Sequence, residues 1–264
     1  METIISMKDL SFVRQGQKIL DQLNWQVKRG ETWAILGLNG AGKSSLLRLI
    51  MAENWAFKGD LTVLGTTFGK GDIPNLRKRI GVVGSFIAER FPTRMLAEEI
   101  ILTGRYKSSI LYQAYEPKEL EQAKDLLARL GGKHLIGRVY QSLSQGERQT
   151  LLIARSLMDV PDLLIFDEAT SGLDLFAREN LITQVEQIVT QEQAPTVLFV
   201  THHAEEISPA ITHLLLLKNG KIIAQGPREN ILIRSVLTDF YEQPVQLIPI
   251  GQGRYFVQPE VRHA

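Results

Sequence analysis

Thr32-Trp33-Ala34-Ile35-Leu36 runs straight into Gly37-Leu38-Asn39-Gly40-Ala41-Gly42-Lys43-Ser44, and Ser44–Ala52 continues with Leu46, Leu47, Leu49 and Ile50 apolar. The first stretch reads as a buried strand and the last as a helix. Between them lies the G-x-x-x-x-G-K-[ST] pattern of a phosphate-binding loop. Glycines let the backbone fold closely around phosphate oxygens with successive N–H groups turned inward. The helix that follows adds the positive end of its dipole. Lys43 is then placed for β- and γ-phosphates, the Ser44 hydroxyl for Mg²⁺, and Ser45 for the α-phosphate. A glycine-rich turn with an incidental lysine would require neither the strand before it nor the helix after it.

Working outward, Ile80–Val83, Leu163–Phe166, Thr196–Val200 and Leu214–Leu217 are further short apolar runs, separated by helical patterns. Strands alternating with helices predict a parallel α/β sheet. Pro117–Leu130 is a helix with Leu120, Ala123, Leu127 and Leu130 on one stripe; Pro117 suits its first turn and Gly131-Gly132 stops it. Phe176–Glu192 places Leu181, Val185, Ile188 and Val189 on one face, and Asn219-Gly220 signals a tight hairpin between Leu214–Leu217 and Lys221–Ala224. From about Phe86 to Ser142 the pattern is helical, with no convincing buried strand, and reads as an insert in the α/β core. The tail from Pro244 reads as a short β-hairpin, Gln246–Ile250 with Arg254–Val257.

The chain has 264 residues, 44% hydrophobic and 22% charged, the balance of an ordinary globular protein of one large or two small domains. Thirty Lys and Arg against 29 Asp and Glu leave a net charge of +1. That argues against a chain built to coat nucleic acid, which carries a basic excess. The absence of cysteine excludes disulfides, thiolate zinc sites and cysteine nucleophiles. No apolar run approaches the ~18 residues of a membrane span, and Met1–Leu10 lacks the apolar core of a signal peptide. A cytoplasmic location is expected, with any membrane role exerted through a partner.

Asp162-Leu163-Leu164-Ile165-Phe166-Asp167-Glu168 is an apolar strand that ends in two acids. In open α/β sheets the strand ends carry the ligand site. Asp167 is placed to hold Mg²⁺, directly or through water, and Glu168 to orient or deprotonate the attacking water. Taken alone, two solvated acids before a helix compete fairly with that reading; the phosphate loop makes them the weaker choice. Leu143-Ser144-Gln145-Gly146-Glu147 precedes the helical run Arg148–Leu157. By itself it is a helix cap, with Ser144 as N-cap and Glu147 as its box partner.

In this combination the pentapeptide closely resembles the signature sequence of ABC-type ATPases. Ser171-Gly172-Leu173-Asp174 resembles that family's D-loop, and Thr201-His202, after the strand Thr196–Val200, resembles its switch histidine. The resemblance covers about Leu10 to Gly226, and the chain is identified as similar to the nucleotide-binding subunit of an ABC transporter. It implies an α/β P-loop NTPase (RecA-like) fold, with a parallel-sheet core, an antiparallel β subdomain and an inserted helical subdomain. The expected division is 1–85 with 153–240 as the ATP-binding core, 86–152 as the helical subdomain, and 241–264 as the tail.

The resemblance further implies ATP and Mg²⁺ as ligands and a head-to-tail homodimer that sandwiches two ATPs. Each ATP would lie on Gly37, Leu38, Asn39, Gly40, Ala41, Gly42, Lys43, Ser44 and Ser45 of one copy. It would also meet Ser144, Gln145, Gly146 and Glu147 of the other, where a hydroxyl, N–H groups and a helix dipole face developing negative charge. His202 would contact the γ-phosphate and the Glu168 region, and Asp174 would report across the dimer interface; His203 reads as an ordinary surface histidine. Transmembrane permease subunits are the expected partners, with no nucleic acid, and the chain would sit peripherally on the inner face of the membrane.

Three departures stand out. Arg14 occupies the place of the family's adenine-stacking aromatic, where its guanidinium can stack on a base. Ser85 stands where the family has a Mg²⁺-binding Gln, so it could reach the metal only through water. Gln145 and Ala169 replace a usual Gly and Pro and remove no phosphate contact. One cassette without a charged linker or coiled-coil insertion favours a transporter subunit over a stand-alone soluble ABC ATPase acting on a non-membrane partner. A small-molecule kinase would not require the signature and the switch histidine together. Thr103-Gly104-Arg105-Tyr106 and Ser85 are similar to importers of the molybdate and metal-chelate type. Phe86 and Phe91, with one or more of Leu111, Tyr112 and Tyr115, are expected to line the groove for a permease helix.

Overall fold

A computed structural model describes residues 1–84, 91–112 and 114–260. In chain order the first elements are β1 (Thr3–Arg14), β2 (Gln17–Lys28), β3 (Thr32–Leu36), α1 (Lys43–Ile50), β4 (Lys58–Val63), β5 (Thr66–Thr67) and α2 (Ile73–Lys78). Next come β6 (Ile80–Gly84), α3 (Ala97–Tyr106), α4 (Pro117–Arg129), α5 (Gln145–Leu157), β7 (Leu163–Asp167) and α6 (Leu175–Val189). The chain closes with β8 (Thr196–Thr201), β9 (His213–Lys218), β10 (Lys221–Pro227), α7 (Arg228–Ile231), α8 (Arg234–Tyr241), β11 (Val245–Gly251) and β12 (Arg254–Pro259). Two compact units result: Met1–Arg77 with Thr196–Ala264, and Lys78–Pro195. The second takes in β6, β7 and α6 as well as the helices expected for an insert, because β6 and β7 pair with each other in parallel and α5 packs on β6.

In the first unit β3 pairs in parallel with β8 on one side and β9 on the other. β3 and β8 are buried at every residue. Strands covered on both faces read as continuous apolar runs rather than alternating ones, which is why their bounds are plain in the sequence. β10 adds antiparallel to β9 through Asn219 and Gly220, both at positive φ (48° and 73°). That turn geometry suits the twist of paired strands, and Asn-Gly adopts it readily. A second sheet, antiparallel in the order β2-β1-β4-β5, supplies the expected β subdomain. The tail is an antiparallel ribbon of β11 and β12.

The second unit is built around α3 and α5. α3 buries Ile100, Ile101 and Leu102, and α5 buries Leu151, Leu152, Ile153 and Ala154. The helices meet at Gly104, where an added Cβ would lie 2.0 Å from the Arg155 carbonyl oxygen. Arg155 fastens the crossing, its Nε donating to Thr103 Oγ1 at 2.9 Å and Nη2 to the Ser108 carbonyl at 2.8 Å. Gly104→Ala therefore drives a methyl into main chain that cannot give way locally. Overpacking of this kind costs about 3 kcal/mol. Thermal unfolding should show a Tm lower by roughly 6–12 °C; an unchanged Tm would mean that α3 and α5 part without cost.

The expected permease groove needs correction at Phe91. It is buried, edge-on to Tyr140 with ring centroids 5.8 Å apart, and the Arg155 guanidinium lies 5.1 Å from its ring centroid. Counting apolar residues in the segment overlooked how much of it the α3–α5 core consumes. Tyr112 remains exposed, with Leu111 and Tyr115 half-buried; Phe86 lies outside the described residues.

Candidate functional site

The phosphate loop leaves β3 and enters α1 with Gly40 and Gly42 at φ 80° and 105°. Gly42 serves as the N-cap of α1, which carries no side-chain cap and no acid in its first turn. By contrast α5 is capped by Ser144 and α6 by Asp174. A helix start left without a cap directs its N–H groups outward, as anion binding requires. Lys43 is 5% exposed, and its Nζ donates to the Gly37 carbonyl at 2.7 Å and the Leu38 carbonyl at 3.3 Å. Ser44 is exposed and Ser45 half-buried.

The loop's shape is set by its neighbours. The Gly220 N–H at the β9–β10 turn donates to the Ala41 carbonyl at 3.0 Å. A Cβ on Gly37 would lie 2.7 Å from the Leu217 carbonyl oxygen, and one on Gly42 would lie 2.8 Å from Leu20 Cδ2. Glycine at these positions admits the close approach of β2 and β9 that holds the cradle's shape. Arg14 stands exposed at the end of β1, opposite Gln17 across the turn at Gln15 and Gly16. Phe12, two residues earlier, is core.

Asp167 ends β7, opposite Gly84 of β6, and is half-buried, as is Glu168. Glu168 has φ 47°, a left-handed backbone uncommon outside glycine and typical of residues held for function. His202 follows β8, half-buried, its ring centroid 4.0 Å from that of His203. His203 contacts Glu205 at 3.3 Å, and its N–H donates to Thr201 Oγ1 at 2.9 Å. The buried Thr201 hydroxyl also donates to Glu206, another buried group, at 2.5 Å. Nothing in the sequence around Glu206 marks it as a buried acid.

The signature residues form the first turn of α5. Glu147 N–H donates to Ser144 Oγ at 3.3 Å and Ser144 N–H to Glu147 Oε2 at 2.7 Å, the reciprocal box expected of this spacing. Burial pushes the Glu147 carboxyl up, but the Ser144 backbone and Arg138, 2.6 Å away, outweigh it and hold the group below the usual carboxylate range. Gly146 sits where a Cβ would come 2.8 Å from Ala177 Cβ, so glycine lets α5 approach α6. Ser144, Gly146 and Glu147 open onto a cavity of about 240 Å³ shared with His134, Gly132 and Asn180. Asp174 caps α6, accepting from Ala177 N–H at 2.9 Å. Gln145, expected at the partner's ATP and as a departure from the usual Gly, donates to the Ser171 carbonyl; Gln149, not noted at all, donates to that of Ala169. Their four-residue spacing on one helix face is the signal that could have found them.

Ser85 lies outside the described residues. Among the described residues no group of three or more His, Cys, Asp or Glu gathers as a metal cage. Magnesium rarely uses one: it takes one or two protein oxygens together with substrate phosphates and waters. A serine hydroxyl and a strand-end carboxylate are the donor types that such sharing needs.

The chain matches the ABC transporter family over residues 20–171, a span that holds the phosphate loop, the signature and the β7 acids. It is 60% identical over 258 residues to an ABC transporter ATP-binding protein of Streptococcus mutans, covering 98% of this chain and 99% of that one. It is 31% identical to the molybdate import ATP-binding protein MolC of Haemophilus influenzae, covering 93% and 90%. Among solved structures it resembles a metal-chelate type ABC transporter in an inward-facing conformation, with a TM-score of 0.80, 27% identity and 99% of each chain covered. Among the described residues no helix is long and apolar enough to cross a membrane. The chain belongs to the ABC transporter ATP-binding family and is an ATPase.

Proposed function

We propose that this protein is the energy-supplying subunit of a membrane importer, binding ATP as a head-to-tail homodimer and driving separate permease subunits. The observation that carries this reading is the pair of helix starts. That of α1 is uncapped and wrapped by the Gly37–Lys43 loop. That of α5 presents the Ser144 hydroxyl and the Gly146 backbone to an open cavity. One cradles phosphate; the other meets the γ-phosphate held by a second copy, together with Glu147, while the Gln145 amide is committed to the Ser171 carbonyl. Glu168 orients the attacking water and His202 steadies the γ-phosphate. Asp174, at the start of α6, reports across the dimer interface.

Ser44 and Asp167 are the residues that would hold Mg²⁺, which when bound neutralises charge on the transferring phosphoryl group. The signature lies in the helical subdomain proposed at 86–152, and the exposed Tyr112, beside Leu111 and Tyr115, is the surface offered to the permease. An import direction, with a molybdate-like oxyanion or a metal chelate as cargo, is supported by the names of the relatives and by the Ser85 and Thr103–Tyr106 features. The experiment that tests the sandwich is trapping of an ATP-bound dimer in a variant that cannot hydrolyse.

Arg14 stacks on adenine in this reading, its exposed place at the β1–β2 turn leaving the guanidinium face available. Arg14→Ala should then weaken ATP by about 1 kcal/mol, the scale of a partly exposed cation–π contact, and Arg14→Tyr should restore it. Equal affinities for the three proteins, by fluorescence titration with a labelled nucleotide, would make Arg14 a bystander.

A further inference from the structure

The turn that follows the β7 acids is gripped from α5. Gln145 Nε2 donates to the Ser171 carbonyl at 3.1 Å, and Gln149 Nε2 donates to the Ala169 carbonyl. The two amides are four residues apart, so they stand one above the other on one helix face. The carbonyls they meet are two residues apart on the turn. Within the turn Ser171 N–H donates to the Glu168 carbonyl at 3.0 Å and Leu173 N–H to that of Thr170 at 3.1 Å. Glu168, which opens the turn, is the residue held at φ 47°. Gly172 lets the clamp close, since a Cβ there would lie 2.7 Å from Gln145 Nε2. Gln149 is 8% exposed, a buried amide committed to main chain. Gln145 belongs to the same first turn of α5 that Ser144 caps.

We infer that Gln145 and Gln149 are positioning residues that tie the Glu168 turn to the start of α5. The set of the water-orienting carboxylate then follows the seating of Ser144 and Gly146 on the partner's phosphate. One nucleotide site thus senses, through two side-chain amides, whether the other is occupied. The inference rests on the roles given above to Glu168 and to the signature. A glycine at position 145 would leave only Gln149 to hold the turn, so this chain carries a second tie where the family pattern has none.

Position 145 is the one to test, because it is exposed and its replacement leaves the core intact. Gln145→Glu keeps the shape and removes the donor; Gln145→Ala removes the donor without adding charge. In the full-length protein both should bind labelled ATP with unchanged affinity by equilibrium dialysis. Both should lower kcat about 3- to 10-fold, the scale of one lost hydrogen bond, with KM unchanged. In a Glu168→Gln background the Gln145 changes should leave the residual single-turnover rate unaltered, since their effect passes through Glu168. A wild-type kcat, or an equal loss in both backgrounds, would overturn the clamp. A rise in KM with kcat kept would show instead that Gln145 touches nucleotide directly, which also overturns it. Failure of the underlying reading is distinct: Glu168→Gln alone would then go on hydrolysing ATP.

Discussion

Glu168→Gln is expected to bind ATP and to stop turning it over. The substitution keeps the length of the side chain and removes the carboxylate that draws a proton from, and aims, the attacking water. Loss of such a group costs about 10²–10⁴ in rate. The cradle is untouched, because Lys43 is held by Gly37 and Leu38 of its own loop, and that loop is braced by Gly220. Binding should therefore persist while hydrolysis, the step that forms the products, is lost. Two copies closed on two ATPs then have no route to open, and sizing chromatography with Mg²⁺ and ATP should show a species of twice the monomer mass. Without nucleotide the same variant should elute as a monomer. Hydrolysis within tenfold of wild type would remove Glu168 from its role. Monomers alone in the presence of Mg²⁺ and ATP would sink the sandwich.

What the sequence disclosed depended on whether an element's signal was local. β3, β7 and β8 were legible almost to the residue because strands buried on both faces are uninterrupted apolar runs bounded by polar ends. β1 was not read as a strand. It is twelve residues long, but its pairing with β2 and β4 shifts register near Asp9, which lies at φ 45°. Those irregularities break the period of two on which strand reading rests, so the β subdomain was expected from family resemblance alone. The short α8 (Arg234–Tyr241) escaped because it is a helix of only two turns followed by Glu242 in a left-handed cap, and Pro244, three residues past its end, served only to open the expected tail hairpin.

In the site, the phosphate loop and the signature are contiguous motifs and were found whole. Two features were invisible for a physical reason. The positive φ of Glu168 is imposed by the turn after β7, and no residue type there announces it. The contact of Gln145 with Ser171 joins residues 26 apart in the chain. Phe91 failed in the opposite direction: its apolar character was plain, and only the folded packing showed that Tyr140 and Arg155 had already covered it.

Lys43→Ala should lose ATP itself rather than its hydrolysis. The Lys43 ammonium is buried, and burying a charge is costly unless acceptors compensate. The Gly37 and Leu38 carbonyls supply that compensation in the loop, and phosphate oxygens supply it in the complex. The ammonium reaches two phosphates, and a charge-assisted hydrogen bond contributes roughly 1.5–3 kcal/mol. Affinity should therefore fall by about 10²-fold or more, since every 1.4 kcal/mol is tenfold. Alanine also strips away the aliphatic stem packed inside the loop, so Lys43→Met is the sharper variant: it keeps the stem and deletes only the charge. Both should unfold at nearly the wild-type temperature, because the β3 and α1 core residues Ile35, Leu46 and Leu49 are untouched. Equilibrium titration should find both variants equally weak. If Lys43→Met bound ATP as well as wild type, the ammonium would not be the phosphate ligand. If Lys43→Ala alone were weak, the lysine would be shaping the loop and another cation would be meeting the phosphates.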